Sequence, residues 1–192
     1  MKLETIINEL EIIKDMGDDL IALERYNKLI EDLKKDLLLK NCKKTTKTTK
    51  ITAIKNVLNN KRQYRETLKK IKIEDNKMMF TDSYSAYIIN KIDNIPFDIV
   101  KDEETYPELK NFFNKPLGDN IELDYNTIKS NVKLKKELYQ YNDKVAFDNK
   151  YLLNMLDILP EGSKYYLYDN IMIIGVSPDE EEKALVLGVK VY

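Results

Sequence analysis

The chain has 192 residues, 43% hydrophobic and 34% charged, with 32 basic side chains against 33 acidic ones. That length and balance suit one globular domain with a small extension and exclude a chain too polar to bury a core. Histidine is absent, which excludes Ser–His and Cys–His nucleophiles, His-ligated zinc and imidazole proton relays; the single cysteine, Cys42, excludes an internal disulfide and reads as an incidental thiol in a reducing compartment.

The near-neutral total conceals blocks. Residues 40–70 hold eleven basic side chains against the single acid Glu66, between acidic stretches on either side. Within the first stretch, Leu3, Ile6, Ile7, Leu10 and Ile13 repeat at helical spacing up to Gly17. Asp18 or Asp19 then caps a second helix carrying Leu23, Tyr26, Ile30, Leu33 and Leu37 on one face, so a helical hairpin is predicted over 1–42. Glu4, Glu9 and Glu11 interrupt any signal-peptide pattern, and no apolar run approaches the roughly 20 residues that cross a bilayer, so the expected setting is cytoplasmic, with no membrane partner.

Residues 43–50, Lys43-Lys44-Thr45-Thr46-Lys47-Thr48-Thr49-Lys50, contain no apolar side chain and read as a basic linker. Thr49 is the expected cap of a helix through Ile51, Ile54, Val57 and Leu58. Leu68, Ile71 and Ile73 then alternate up to the turn Glu74-Asp75-Asn76-Lys77, and Met78 to Ile89 reads as one continuous strand, completing a hairpin. Pro96, Pro107, Pro116 and Gly118 break the next stretch. Beyond it come a short strand at 120–124, a helix-compatible segment at 125–138, a strand at 145–147 and a helix capped by Asn149 and carrying Leu152, Leu153, Leu156 and Ile158. Three strands close the chain, at 165–168, 171–176 and 184–191. Helix followed by strands thus occurs twice, which predicts an α+β domain of two similar halves over 51–192.

Four segments resemble the bacterial sliding clamp, the β subunit of the replicative polymerase. Met78-Met79-Phe80-Thr81-Asp82-Ser83-Tyr84 is similar to the clamp's Thr-Asp-Gly-aromatic strand end, and Tyr106-Pro107-Glu108-Leu109 to its Phe-Pro-Asp-Tyr segment. Phe147-Asp148-Asn149-Lys150-Tyr151-Leu152-Leu153-Asn154-Met155-Leu156 resembles its Phe-Asn-x-x-Tyr-Leu-Leu-Asp-x-Leu helix start, and residues 184–191 its closing strand. The resemblance spans about residues 49–192 and implies a clamp-like domain preceded by a helical extension that clamps lack. Ser83 replaces the clamp glycine, and Ser85 and Ala86 stand where a basic residue is expected. One such domain cannot encircle duplex DNA, so the resemblance implies either a homo-oligomer or a different use of the fold.

The basic block is the strongest candidate site: Lys43, Lys44 and Lys47 before the expected helix, Lys50, Lys55, Lys61 and Arg62 on or just beyond it, and Arg65, Lys69 and Lys70 after it. Such density suits a phosphate backbone, an acidic protein surface or a solvated face. The acidic runs 102–104 and 179–182 lack EF-hand spacing and read as solvated turns, and Asp82 reads as a structural hydrogen-bond acceptor. Among the 13 tyrosines, Tyr165, Tyr166 and Tyr168 crowd one strand whose two faces are not both expected to be buried, and Tyr139 and Tyr141 share a face if extended. No catalytic group, cofactor or metal is expected. Abundant Lys, Asn, Ile and Tyr fit an AT-rich bacterial or phage genome. The expectation is therefore a non-enzymatic, clamp-like, phage or mobile-element protein acting on DNA or a nucleoprotein complex. An inhibitor of a host defence or replication factor, of the anti-CRISPR type, is the alternative, and a metal-dependent nuclease the third reading.

Overall fold

The computed structural model describes Tyr26 and residues 47–101, 105–143 and 145–190. Of the expected hairpin over 1–42, only Tyr26 falls within them; it is helical and exposed. The chain divides into two compact units, Met1–Lys43 and Lys44–Tyr192, and the remaining described residues belong to the second.

Helix α1, Lys47–Leu58, starts inside the stretch expected to be a linker. Thr49 is therefore a residue of its first turn and not its cap. The Thr-Lys run contains no Gly or Pro to stop a helix, and Ala53, Ile54, Val57 and Leu58 are all buried on its inner side. Fully burying side chains such as Ile54, Val57 and Leu58 contributes about 1.5–3 kcal/mol each, so packing organises this helix despite its Thr-rich start.

Strands β1, Lys72–Glu74, and β2, Lys77–Thr81, form the expected hairpin. Asp75 (φ 50°) and Asn76 (φ 60°) supply the two left-handed positions of its tight turn. The long strand expected from Met78 to Ile89 is two strands, because the chain turns at Asp82–Tyr84 and returns as β3, Ser85–Asn90. Ser83 sits at φ 73°, and the Asp82 carboxylate accepts from the Tyr84 and Ser85 amides at 3.1 and 2.7 Å. A side chain that bonds the backbone two and three residues on competes with strand continuation.

Strand β4, Asp119–Ile121, leads to α2, Tyr125–Lys133, whose cap Asp124 accepts from the Asn126 and Thr127 amides. Strands β5, Leu138–Gln140, and β6, Val145–Asp148, follow. Helix α3, Asn149–Ile158, is capped by Asp148, one residue before the expected cap. The chain ends in β7, Lys164–Tyr168, β8, Met172–Val176, β9, Lys183–Leu187, and β10, Val189–Lys190. The single strand expected at 184–191 is split at Gly188, where the chain leaves one sheet for another. A Cβ at Gly188 would lie 2.7 Å from a Val145 methyl and 3.1 Å from the Phe147 ring.

The result is an α+β domain. Its main sheet has seven strands in the order β1-β2-β3-β9-β8-β7-β4, every neighbouring pair antiparallel, and β10-β6-β5 form a second, three-stranded antiparallel sheet. Helices α1 and α3 pack against each other, and each is followed by three antiparallel strands of the main sheet. The last strands of those two sets, β3 and β9, pair at the centre of the sheet.

Both faces of the sheet are covered. Met78, Phe80, Tyr87, Ile173 and Val186 face a core shared with the helices, while Met79, Ile174 and Leu185 face a second core with Leu68, Tyr106 and Leu109. Residues 105–113, ending in the 3-10 turn Leu109–Phe113, lie over that second face. This corrects the expectation for β7: Tyr165 packs on the helix-side core, and Tyr166 and Tyr168 pack on the other. Tyr139 and Tyr141 both pack against the helix-side core.

Candidate nucleic-acid interface

Helix α1 ends in a pinned loop. Asn60 donates to Asp82 Oδ2 at 2.7 Å and to the Tyr151 hydroxyl at 3.0 Å, while its own Oδ1 accepts from the Arg62 amide at 3.0 Å. Gln63, only 7% exposed, donates to Ser83 Oγ and accepts from the Arg65 amide, both at 2.9 Å. With these two amides turned inward, Lys61, Arg62, Tyr64 and Arg65 are left exposed.

Asp82 is the hub of this anchorage, as expected of a structural acceptor. It is 1% exposed and also accepts from Ser85 Oγ at 2.8 Å. Beside it, the Tyr87 hydroxyl is fully buried, and burial holds it well above the ordinary phenol range against an opposing contact from Ser85. Burial also raises the Tyr151 hydroxyl, against the opposing bond from Asn60. Tyr84 stacks on Tyr151 with centroids 5.6 Å apart and rings 9° from parallel.

Between the end of α1 and the start of α3 lies an open groove of about 500 Å³. Lys61, Arg62 and Lys150 line it with the amides of Asn56, Asn60 and Asn154, and Asp148 is the one carboxylate among its described lining residues. None of the three cations forms an ion pair with a described residue. Asp148 is already committed to the Lys150 amide as helix cap. The groove is therefore cationic, polar and open, the chemistry of a phosphate-binding surface.

The rest of the basic block is dispersed. Lys43 and Lys44 lie outside the described residues, and Lys47 is the first residue of α1. Lys50 points inward, with its ammonium 2.9 and 2.8 Å from the two carboxylate oxygens of Glu182. Lys55 and Lys69 line a separate recess of about 400 Å³ with Pro96 and Phe97, and Lys69 pairs with Glu66 at 2.5 Å. Lys70 is half-buried and engaged. Arg65 lines a third, apolar groove of about 420 Å³ beside Leu68, Tyr84, Phe112, Met172 and Leu187, with Lys115 as its other cation. Of the eight expected residues that are described, Lys61 and Arg62 alone meet in the polar groove. Lys150 joins them from more than eighty residues away, as the one outward side chain among Asn149, Tyr151 and Leu152.

Of the two acidic runs, residues 102–104 lie outside the described residues. In the other, Asp179 accepts from Ser177 Oγ, Glu181 pairs with Lys77, and Glu182 holds Lys50 and the Asn90 amide. Among the described residues no three His, Cys, Asp or Glu side chains gather where they could hold a metal ion, and no helix is long and apolar enough to cross a membrane. No protein-family model, curated protein or solved structure matches the chain.

Proposed function

We propose that this chain is a non-enzymatic, clamp-like protein that grips nucleic acid, as DNA or within a nucleoprotein complex, along the groove between α1 and α3. The observation that carries this reading is the meeting of Lys61 and Arg62, from the loop after α1, with Lys150, from α3, in one open groove, none of them ion-paired with a described residue. Cations committed to the fold find carboxylates, as Lys50 does; an exposed cluster that no described carboxylate pairs is available to an anion outside the molecule.

The clamp resemblance gains support from two features. Each of α1 and α3 precedes three antiparallel strands of the main sheet, and the two sets meet at β3 and β9, as two similar halves of one domain would. Ser83, which occupies the clamp's glycine position, has the left-handed backbone that glycine accepts without strain. Encircling a duplex would need several copies, and a solution mass several times that of one chain is the expected result if the protein acts as a ring.

Fluorescence anisotropy of labelled oligonucleotides across a salt series tests the reading. Binding should weaken linearly in log–log form as salt rises. Lys61→Gln, Arg62→Gln and Lys150→Gln together should flatten the slope by about 0.9 for each duplex phosphate no longer neutralised. Their stability should stay within about 0.5 kcal/mol of the parent, as for exposed side chains generally. Absence of binding at low salt overturns the proposal.

The apolar groove favours a second reading, attachment to a protein partner. Its apolar lining ends in Arg65 and Lys115, which suits a segment with apolar anchors and an acidic flank. An inhibitor acting this way would co-purify with one host complex and lose it on Phe112→Asp, while nucleic-acid binding stayed intact.

A further inference from the structure

The loop that follows α1 carries more than positive charge. Its exposed side chains include Lys61, Arg62, Tyr64 and Arg65, a phenol ring with three cations close by in sequence. Tyr64 is 89% exposed, more than any other large hydrophobic side chain described. A lone exposed ring is ordinary on a protein surface. This one is held out by the backbone on each side: Asn60 Oδ1 fixes the Arg62 amide, Gln63 Oε1 fixes the Arg65 amide, and the buried Gln63 side chain is anchored on Ser83. Gln63 turned in leaves its neighbours Arg62 and Tyr64 turned out.

The same anchorage reaches a second ring. Ser83, which receives Gln63, precedes Tyr84, whose amide is held by Asp82 and whose carbonyl accepts from the Leu187 amide at 2.9 Å. Tyr84 is 40% exposed and rests one face on Tyr151, which lines the cationic groove. Cationic groove, stacked Tyr151–Tyr84 pair and protruding Tyr64 are thus joined through Asn60, Gln63, Asp82 and Ser83. The Tyr84 ring, already stacked on Tyr151, gives up little rotamer entropy on binding, while at Tyr64 it is the backbone that is fixed.

A duplex offers phosphates to such a surface but keeps the faces of its bases stacked on one another. Only unpaired bases offer a free face to a tyrosine, and this contact tolerates any sequence. We infer that the surface formed by Lys61, Arg62, Tyr64 and Tyr84 takes single-stranded nucleic acid in preference to duplex, the cations holding the phosphates and the two tyrosines stacking on unpaired bases. The inference rests on the nucleic-acid reading of the groove and narrows its ligand.

The chain has no tryptophan, so Tyr64→Trp introduces a single reporter at the site. The full-length protein would be titrated with labelled oligo-dT of about 12 nucleotides, within the usual length of one single-strand site, and with a hairpin duplex of the same length. Parent protein should bind the single strand more tightly. Tyr64→Ala should weaken single-strand binding about ten-fold or more and leave duplex binding unchanged, while Tyr64→Phe, which keeps the ring, should retain it. The tryptophan of Tyr64→Trp should be quenched by oligo-dT and not by the duplex. Equal affinity for both forms, an unaltered Tyr64→Ala or an unquenched tryptophan overturns this inference while the groove reading stands. Failure to bind either form at low salt overturns both.

Discussion

The two ends of α1 use the same residue type for opposite purposes. At the N-terminal end the Lys50 ammonium, 17% exposed, is clasped by both oxygens of Glu182, itself 9% exposed and also bonded to the Asn90 amide. At the C-terminal end Lys61 and Arg62 face water while two neutral amides, Asn60 and Gln63, hold the backbone. Charge at the first end is part of the fold. At the second the fold is secured by uncharged groups and the charge is left over. Density of lysine along a sequence therefore says little about binding until the carboxylates facing each ammonium are known.

The sharpest way to break this contrast is to remove the anchor of the second end. Asp82→Ala deprives the Tyr84 and Ser85 amides, Ser85 Oγ and Asn60 Nδ2 of their common acceptor inside the protein. Leaving several buried donors unpaired should cost about 3 kcal/mol or more, read as a lowered urea midpoint, and should weaken nucleic-acid binding with every cation still present. A destabilisation below about 1 kcal/mol would mean that the loop is held by something other than this hub.

That hub also marks how far the sequence could be read. The Asp75-Asn76 turn was legible because both residues tolerate a left-handed backbone and sit between alternating apolar runs. The residue pattern hid the turn at Asp82–Tyr84, although the clamp resemblance implied a strand end there, because Met78 to Ile89 is rich in β-forming residues and the Thr-Asp-Ser signal within it is only three residues long. In the site, Lys61 and Arg62 were legible as charges. Asn60 and Gln63 were not legible as pins, because their partners Asp82, Ser83 and Tyr151 lie about twenty to ninety residues away. Lys150 was missed for the same reason: one lysine opening an apolar helix has no local signature, and only the packing of α3 beside α1 turns it toward Lys61. Covering of both sheet faces was equally out of reach, since it depends on a Pro-broken segment with no period of its own.

A smaller effect is expected at the first end. Glu182→Gln keeps the volume but removes the negative charge, leaving Lys50 without its counter-ion beside the β8–β9 turn. Since both groups retain some exposure to water, the cost should be about 1–3 kcal/mol by urea denaturation, below that of Asp82→Ala. Nucleic-acid affinity should stay the same, because the freed lysine lies apart from the groove. A gain in affinity would show that Lys50 can be recruited to binding, and the division between the two ends would fall.

The smallest effect comes from a carboxylate that lacks what Glu182 has. Asp157, half-buried on α3, accepts from the Tyr125 hydroxyl at 3.0 Å. Burial raises its carboxyl above the ordinary range, and the Tyr125 bond and the more distant Lys129 charge only partly oppose this. The folded chain thus binds the Asp157 proton more tightly than the unfolded chain does, so its contribution to stability is fullest below the unfolded value and declines as pH rises through the raised one. Asp157→Asn keeps an oxygen for Tyr125 and cannot ionise. Its stability should vary less with pH across that acidic interval, and at neutral pH it should equal or exceed the parent by less than about 1 kcal/mol, because the site is partly screened by water. If Asp157→Asn instead proves less stable at neutral pH, then the hydroxyl bond and Lys129 together outweigh the cost of burial, and a hydroxyl partner does for Asp157 what an ammonium does for Glu182.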